Sequence, residues 1–253
     1  MATADRALSI LGLFTMERPE WTVDNVMSEL GLSSSTAYTY IRSLVDVGLL
    51  ISGKTGSYGI GPAVIGFDRI ARRHDPLIHD AQSAMRALVA GAGEAGDIIA
   101  LLCRPFRSQV MCVDQFSERR TSFAISYERG RPMPLYRGAA SKAILAQMPS
   151  RAIRRLWETE QAQIVAAGLG NDWDQFKKTL RALRKTDVVI TSGEIDTGLV
   201  GLSAPVVGSN GEVLGSLGVV VSHQTFEKHP EHAASLSGLV AKQAAAVTAA
   251  LQS

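Results

Sequence analysis

The amino-acid sequence predicts an α+β protein in two parts: a small helical part ending in a β-hairpin, and a larger part built on an antiparallel sheet. Three observations support this fold class. Apolar residues recur at three- and four-residue spacing between positions 23 and 45, which is typical of amphipathic helices. Short apolar runs separated by turns begin near position 97, as expected for strands. The 253 residues are long for one domain and suit two.

Composition places the chain among globular proteins with a sizeable core, since 46% of its residues are hydrophobic and 20% are charged. No apolar run approaches the roughly 18 residues of a membrane span. The N-terminal stretch MATADRALSILGLF lacks a small-residue cleavage site after a basic start, so we expect no signal peptide. Only two cysteines occur, Cys103 and Cys112, and we expect buried thiols in a reducing cytoplasm.

The first predicted element is a helix from about Ala4 to Thr15. Its core stripe consists of Leu8, Leu11 and Phe14. Arg6 precedes the stripe and could reach a phosphate of a bound nucleic acid, although a solvated arginine explains this position equally well.

Two helices joined by a tight turn follow. The apolar face of the first consists of Val23, Val26, Met27 and Leu30. Gly31 suits the left-handed conformation that ends a helix, and the hydroxyl run 33–35 supplies an N-cap for the next helix. The inward positions of this second helix are Ala37, Ile41, Leu44 and Val45.

The opposite face of the second helix is polar and lies beside a predicted hairpin. Residues 49–51 and 57–60 pair across a turn that holds Lys54. The polar positions lie side by side on the helix; they are Ser34, Ser35, Tyr38, Thr39 and Arg42. This is the shape of a winged helix-turn-helix, whose second helix lies in the major groove of DNA. An ordinary helical subdomain that never touches DNA is the alternative. The candidate DNA-binding residues are Arg6, Ser33, Ser34, Ser35, Thr36, Tyr38, Thr39, Arg42 and Lys54.

The charge of this part is unusual for a DNA-binding domain. Residues 1–74 hold seven basic and seven acidic side chains, so their net charge is zero. Non-specific affinity for DNA comes largely from Lys and Arg that neutralise phosphates. A neutral domain must therefore cluster its few cations on one face or bind as a multimer.

Gly61-Pro62 starts a further helix, which ends near Arg73. It is too apolar to be surrounded by water, because it carries Val64, Ile65, Phe67 and Ile70. We expect it to pack on the first helix or on a second subunit. A second cap-and-proline signal at Asp75-Pro76 opens the next helix. The predicted domains are therefore 1–61 (winged helix-turn-helix), 62–75 (linker helix) and 76–253 (second domain).

In the second domain, strands at both ends and helices between them predict an antiparallel-centred α+β sheet. The predicted strands are DIIALLCR, QVMCVDQF, SFAISYE, VVIT, VGLSAPVV and EVLGSLGVVV, with RPMPLYRG as a loop. Asn210-Gly211 accepts positive φ and predicts a hairpin between the last two strands. The predicted helices begin near 138, 150, 172 and 231.

Several segments in this order resemble the isocitrate-lyase-regulator (IclR) family of bacterial transcriptional regulators. They are ALSILGLF (7–14), GLSSSTAYTYIRSLVDVGLL (31–50), SYGIGP (57–62), RPMPLYRGAASKAILAQMP (131–149) and GEIDTGLVGLSAPVVGSNGEVLGSLGVVV (193–221). The resemblance implies a winged helix-turn-helix domain, a linker helix and a GAF-like effector-binding domain. It also implies dimers through the N-terminal half and often tetramers through the C-terminal half.

The sequence departs from the family in the helix that would lie in the major groove. The family usually carries a basic residue where Ser34 stands and an arginine where Thr39 stands. Arg42 is then the only cation on that face. We therefore expect base reading by hydroxyl groups and by Tyr38, with thymine methyls and phosphates as targets.

By resemblance, an effector cavity lies between the sheet and the segments around 138–139, 191–203 and 216–220, and holds small carboxylates or aromatic compounds. Gly138 and Ala139 start a helix whose free amides and dipole favour a carboxylate, although a tight helix–sheet contact also requires small residues. Small inward residues make room for a ligand bulkier than glyoxylate. The candidate effector-binding residues are Gly138, Ala139, Ser141, Thr191, Glu194, Leu199, Gly201, Ser203, Ser216 and Gly218.

The motifs of common enzyme classes are missing from the sequence. There is no HExxH or CxxC set, no GxSxG elbow, no Walker loop and no dinucleotide fingerprint. We predict no catalysis, no cofactor and no metal. The predicted function is a transcriptional regulator that responds to a small molecule and binds a palindromic operator as a homodimer or a dimer of dimers. The alternative is a dimeric small-molecule-binding module without sequence-specific DNA binding; substitution of Arg42 or Tyr38 distinguishes the two.

Overall fold

The computed structural model describes residues 3–91, 97–228 and 230–252. The chain divides into two compact units, Met1–Asp75 and Pro76–Ser253.

The first unit combines helices with a small three-stranded antiparallel sheet in the order β1-β3-β2. Its elements are α1 (Thr3–Ser9), a 3-10 turn (Ile10–Leu13), β1 (Trp21–Thr22), α2 (Val23–Leu30), α3 (Ser34–Asp46), β2 (Leu50–Ser52), a 3-10 turn (Lys54–Gly56), β3 (Ser57–Ile60) and α4 (Ala63–His74). The predicted hairpin is present, with Leu50 opposite Ile60. Trp21 adds an unpredicted third strand opposite Tyr58, and its indole nitrogen donates to the carbonyl of Leu13 at 3.0 Å.

The core of the first unit differs from the prediction at its first helix. Ile10 is fully buried, whereas Leu8 is 56% exposed, so the assignment of Leu8 to the core stripe is wrong. Leu11 and Phe14 pack against the core as predicted. The α-helix ends at Ser9 and continues as a tighter 3-10 turn. A 3-10 turn has about 3.0 residues per turn, and this change of period directs a different set of side chains inward.

The second unit is a six-stranded antiparallel sheet in the order β6-β5-β4-β9-β8-β7, with helices on both faces. Its elements are α5 (Pro76–Gly91), β4 (Ile98–Phe106), β5 (Gln109–Phe116), β6 (Pro132–Pro134), α6 (Ala139–Gln147), α7 (Ser150–Ala166), α8 (Trp173–Arg184), β7 (Val189–Ser192), β8 (Leu199–Val207), β9 (Val213–Ser222), α9 (His223–Lys228) and α10 (Pro230–Gln252). The α+β fold class is confirmed.

Alternate residues of each central strand enter one of two cores, as the pleat of a β-strand requires. On β4, Ala100 and Leu102 face the core that contains α5 and α10. Leu101 and Cys103 face the core that contains α6, α7 and α8. The side of the sheet that faces α6 is the one that carries the candidate effector residues.

The predicted strand SFAISYE is wrong. Its backbone amides bond to carboxylates instead of a neighbouring strand, since Ser122 N–H donates to Asp97 and Ser126 N–H donates to Asp196. The strand lies instead in the predicted loop, where β6 pairs Met133 with Val110 of β5. Proline is tolerated in β6 because it is an edge strand.

Helix α10 is long and apolar enough to cross a membrane by length and composition alone, contrary to the expectation from the sequence. In this structure, however, one of its faces belongs to the core: Val240, Ala244 and Val247 are almost completely buried against the sheet. The same helix therefore serves as a core helix of the second unit.

Candidate DNA-binding surface and effector cavity

Helix α3 begins at a cap supplied by the serine run. Ser33 is the N-cap, and its hydroxyl accepts a hydrogen bond from the backbone N–H of Thr36 at 3.4 Å. The same hydroxyl lies 2.8 Å from the hydroxyl of Thr36 and 3.3 Å from that of Ser35. These contacts fix the first turn of α3, where a helix in the major groove contacts base edges.

The predicted polar positions form one solvent-exposed surface, which we call the α3 face. It comprises Ser34, Ser35, Tyr38, Thr39 and Arg42, all of them exposed. The inward positions Ala37, Ile41 and Leu44 are buried and hold the helix against α2 and β2. The α3 face is therefore free in this unit to meet another molecule.

The hydrogen-bonding groups of the α3 face are partly used within the helix. Thr39 donates its hydroxyl to the carbonyl of Ser35 at 2.8 Å, so it retains only acceptor capacity. Within the described residues, the side chains of Ser34, Tyr38 and Arg42 have no hydrogen-bond partner. These three side chains keep their donors for a ligand.

Two further DNA-binding candidates lie outside the α3 face. Arg6 is exposed on α1, and Lys54 is exposed in the 3-10 turn between β2 and β3. Thr55 beside Lys54 has a positive φ of 62°, and this places Lys54 at the tip of a tight turn. Lys54 is therefore at the tip of the wing, as a phosphate contact requires.

In the second unit, a cavity lies between the start of α6 and strands β7, β8 and β9. We call it the α6 cavity. The space open to the centres of water molecules amounts to about 40 Å³. Because a water needs roughly 10–15 Å³ by this measure, the cavity holds only a few waters as it stands. Its lining residues are Leu101, Ile125, Tyr127, Gly138, Ala139, Ala140, Thr191, Gly193, Glu194, Ile195, Asp196, Leu199, Gly201, Leu202, Ser203, Gly218, Val219 and Val220.

Two of the candidate effector residues lie beside the cavity but not on its wall. Ser141 is fully buried, and its hydroxyl bonds to the hydroxyl of Tyr127. Ser216 is also fully buried and donates to the carbonyl of Ala140 at 3.1 Å. Both hydroxyls thus fasten α6 to its surroundings. The eight candidates on the wall are Gly138, Ala139, Thr191, Glu194, Leu199, Gly201, Ser203 and Gly218.

The N-terminus of α6 binds a carboxylate of the protein itself. Glu194 Oε2 accepts a hydrogen bond from Gly138 N–H at 3.0 Å. Glu194 Oε1 lies 2.5 Å from Lys142 Nζ, and the lysine side chain is only 8% exposed. A charged group this deeply buried requires a partner of opposite charge, and Glu194 supplies it. Sequence reasoning missed Lys142, because its partner lies 52 residues away in the chain.

A second carboxylate at the cavity wall was also missed. Asp196 accepts hydrogen bonds from Ser126, at 2.9 Å from the backbone N–H and 2.5 Å from the hydroxyl. These bonds hold the 122–128 segment over the cavity, and they place Ile125 and Tyr127 on its wall. The sequence predicted a strand in this segment and gave no signal for this arrangement.

The tyrosine of this wall is protonated over a wide pH range. Burial, and then the neighbouring Cys103, raise the pKa of Tyr127 far above its ordinary value. Tyr127 is therefore a neutral phenol at the cavity, and its hydroxyl bonds to Ser141 and donates to the carbonyl of Arg137 at 3.4 Å.

The two cysteines are buried, as predicted, and lie opposite each other on β4 and β5. A hydrogen bond with Cys112 and burial raise the pKa of Cys103 well above its ordinary value. A thiol in this state is a poor nucleophile. Elsewhere in the described part of the chain, no cluster of three His, Cys, Asp or Glu side chains is able to hold a metal ion.

Both units of the chain match domains of known proteins. The family model of the bacterial transcriptional regulator IclR C-terminal domain matches residues 71–249, and that of the IclR helix-turn-helix domain matches residues 3–51. A similar curated protein is the HTH-type transcriptional regulator KipR of Bacillus subtilis. It is 20% identical over 217 residues, which cover 86% of this chain and 84% of KipR.

Solved structures share the whole fold. An IclR transcriptional regulator from Alicyclobacillus acidocaldarius has a TM-score of 0.78 and 19% identity, with 98% of each chain covered. An IclR homologue from Microbacterium hydrocarbonoxydans, solved in complex with 4-hydroxybenzoate, has a TM-score of 0.73 and 16% identity, with 99% of each chain covered.

The helix-turn-helix of the first unit and the sheet domain of the second thus match two domains of the same family. They follow each other along the chain in the order that the sequence motifs predicted. The chain belongs to the IclR family of DNA-binding bacterial transcriptional regulators.

Proposed function

We propose that this regulator binds a palindromic operator as a homodimer through the α3 face, and that a small or aromatic carboxylate in the α6 cavity changes its affinity for DNA. The observation that carries the DNA-binding proposal is the exposed row of hydroxyl groups with Tyr38 and Arg42 on α3. In this proposal the regulator acts in the cytoplasm, where the operator is, and it acts by binding, without catalysis.

The free donors of the α3 face support direct reading of DNA. Ser34 and Tyr38 donate to phosphates or to base edges, and Arg42 neutralises a phosphate or binds a guanine. Thr39 offers an acceptor and a methyl group, which suit an exocyclic amine and a thymine methyl respectively. Because Arg42 is the only cation on α3, shape and neutral contacts carry more of the affinity than in a basic recognition helix.

The apolar surface of α4 supports the dimer. Within the first unit, no residue of α4 is buried, and the side chains of Ile65, Phe67 and Ile70 are 73%, 59% and 60% exposed. A row of large apolar side chains in water is unfavourable, and contiguous exposed apolar patches usually mark protein interfaces. A second copy of the chain that covers α4 would also supply the second α3 face that a palindromic operator needs.

The composition of the α6 cavity supports a small-molecule effector. Its wall combines apolar side chains with a few polar ones, among them hydroxyl groups and the carboxylates of Glu194 and Asp196, and this is the usual pattern of a ligand site. The homologue that binds 4-hydroxybenzoate supports an aromatic acid as the ligand class. Because the cavity now holds only a few waters, such a ligand requires side chains of the wall to move.

The proposal for DNA is tested by footprinting on the DNA upstream of the chain's own gene. We expect the wild type to protect a palindromic segment, and Tyr38→Ala or Arg42→Ala to protect nothing at the same protein concentration. Arg155→Ala is the matched control, because Arg155 is an exposed arginine of the second unit. Equal protection by Arg42→Ala, Tyr38→Ala and wild type would contradict the assignment of the α3 face.

A further inference from the structure

The anion-binding position of the α6 cavity is already filled by the protein. Two groups near the start of α6 are able to bind a carboxylate: the backbone N–H of Gly138 on the cavity wall, and the ammonium of Lys142, which is not itself on the wall. Both are bonded to the carboxylate of Glu194, one to each oxygen. A ligand carboxylate that approaches these two groups therefore finds both of them occupied.

The charge of the cavity argues against a carboxylate that binds beside Glu194. Among the described residues, its wall includes two carboxylates, Glu194 and Asp196, and no Lys, Arg or His. A ligand anion added to this wall would face two like charges at close range. If it replaced Glu194 at Gly138 and Lys142, the charge of the site would stay the same, and the buried ammonium would keep a partner.

Glu194 has a place to move, whereas Lys142 does not. The side chain of Glu194 is 31% exposed, against 8% for Lys142. Glu194 also lines a second, open groove of about 520 Å³, whose further lining residues are Pro134, Tyr136, Arg137, Gln163, Ala166 and Ala167. Arg137 is exposed in this groove and already donates to the backbone carbonyl of Glu194.

The segment that carries Glu194 keeps a second anchor when the glutamate moves. Asp196 remains bonded to Ser126 by two hydrogen bonds. Rotation of the Glu194 side chain from the α6 cavity into the groove would therefore leave the backbone in place, and the volume that the side chain leaves would be added to the cavity.

We propose that Glu194 is a built-in occupant of the carboxylate-binding position, and that an effector carboxylate binds to Gly138 and Lys142 by exchanging with it. This inference rests on the proposed function, since it concerns the same effector site. It makes Glu194 a determinant of effector affinity: the ligand must compete with a carboxylate tethered at the site.

The experiment measures binding of sodium acetate and sodium benzoate to the full chain by titration calorimetry, with thermal unfolding in chloride and acetate at equal ionic strength. The variants are Glu194→Ala, Glu194→Gln and the control Glu158→Ala, which removes a glutamate from an exposed ion pair with Arg154 on α7. We expect Glu194→Ala to bind a carboxylate at least about tenfold more tightly than wild type. We also expect acetate, but not chloride, to restore the unfolding temperature of Glu194→Ala. Glu158→Ala should behave as wild type in both measurements.

Equal carboxylate affinity in Glu194→Ala and wild type, or no binding by either, would overturn the proposal. If Glu194→Ala does not fold, Glu194→Gln decides, because it keeps the shape of the side chain and removes only its charge: tighter binding than wild type supports the exchange, and equal binding overturns it. The footprint of the wild type separates this proposal from the proposed function. A footprint without rescue by acetate would reject only the role of Glu194, and rescue without a footprint would reject only the DNA-binding proposal.

Discussion

At the scale of single residues, Gly138 makes the contact between α6 and Glu194 possible. Its φ is 82°, a conformation that side chains other than glycine rarely adopt. A Cβ atom at this position would lie 3.0 Å from Ile195 Cγ1 and 3.1 Å from Tyr127 Cε2. Only glycine fits this backbone conformation and this space, and the conformation directs the N–H of residue 138 at the carboxylate of Glu194.

Gly201 and Gly218 lie on the wall of the same cavity but differ in the space around them. A Cβ at Gly201 would lie 3.4 Å from Ala139 Cβ and 3.5 Å from Thr191 Oγ1, which are ordinary contacts. A Cβ at Gly218 would overlap the backbone oxygen of Leu202. We expect Gly201→Ala to change the free energy of unfolding by less than about 1 kcal/mol and Gly218→Ala to lower it by about 2–4 kcal/mol.

This pair of variants also tests the cavity. Because Gly201→Ala reduces the space for a ligand without disturbing the fold, it should weaken benzoate binding by about tenfold. Urea unfolding and titration calorimetry measure the two effects. A Gly201→Ala protein that binds benzoate as tightly as the wild type would place the ligand elsewhere.

Tyr127 predicts how stability depends on pH. Burial raises its pKa in the folded protein, whereas in the unfolded chain it titrates near its ordinary value of about 10. The contribution of Tyr127 to the free energy of unfolding is therefore complete below about pH 10. It decreases as the pH rises further, because only the unfolded state then loses the proton.

We expect the free energy of unfolding to fall by about 1 kcal/mol through Tyr127 between pH 7.5 and about pH 10.5. Tyr127→Phe should be less stable than the wild type by about 1 kcal/mol at pH 7.5, where it lacks the bond to Ser141, and its stability should fall less at the higher pH. Urea unfolding at the two pH values provides the comparison. Identical falls in both proteins would mean that Tyr127 ionises normally in the folded state.

At the scale of secondary-structure elements, local signals predicted helices well. The signals for α2 and α3 lie within a few residues of one another in the chain. As predicted, Gly31 ends α2 in the left-handed conformation and the serine run caps α3. The strand predicted in SFAISYE was wrong because strand pairing is decided by distant residues. There, Asp97 and Asp196 take the backbone amides that a ladder would need.

The α4 helix allows a prediction at this scale. Phe67 is 59% exposed, so Phe67→Asp should leave the fold of the first unit unchanged and prevent a second copy from covering α4. In analytical ultracentrifugation, we expect a dimer for the wild type and a monomer for Phe67→Asp at micromolar concentration. Met16→Asp is the matched control, because Met16 is 90% exposed in a loop of the same unit. We expect the Met16→Asp protein to remain a dimer. A dimer of Phe67→Asp would exclude α4 as the interface.

At the scale of the whole molecule, the two functional sites were predictable to different degrees. The α3 face follows from one continuous helix, and its members could be named from their spacing alone. The effector candidates came from the resemblance to a family and from small residues beside a helix start. The Lys142–Glu194 pair could not be predicted, because a hydrogen bond between residues 52 positions apart depends on how β7 packs against α6.

We propose that helix α3, although nearly neutral, reads DNA through Arg42 and neutral side chains. The most direct test of this proposal is the affinity of wild type, Arg42→Ala and the control Arg155→Ala for the DNA upstream of the gene and for shuffled DNA, measured by fluorescence anisotropy at several salt concentrations.

We predict that the wild type prefers the upstream DNA by at least about 10³-fold, since specific binding exceeds non-specific binding by about this factor or more. Arg42→Ala should bind at least about tenfold more weakly, and its affinity should depend less steeply on salt, by about one ion for each phosphate that Arg42 neutralises. Arg155→Ala should match the wild type. Equal affinity of wild type and Arg42→Ala for both DNAs at every salt concentration would contradict the reading of DNA by the α3 face.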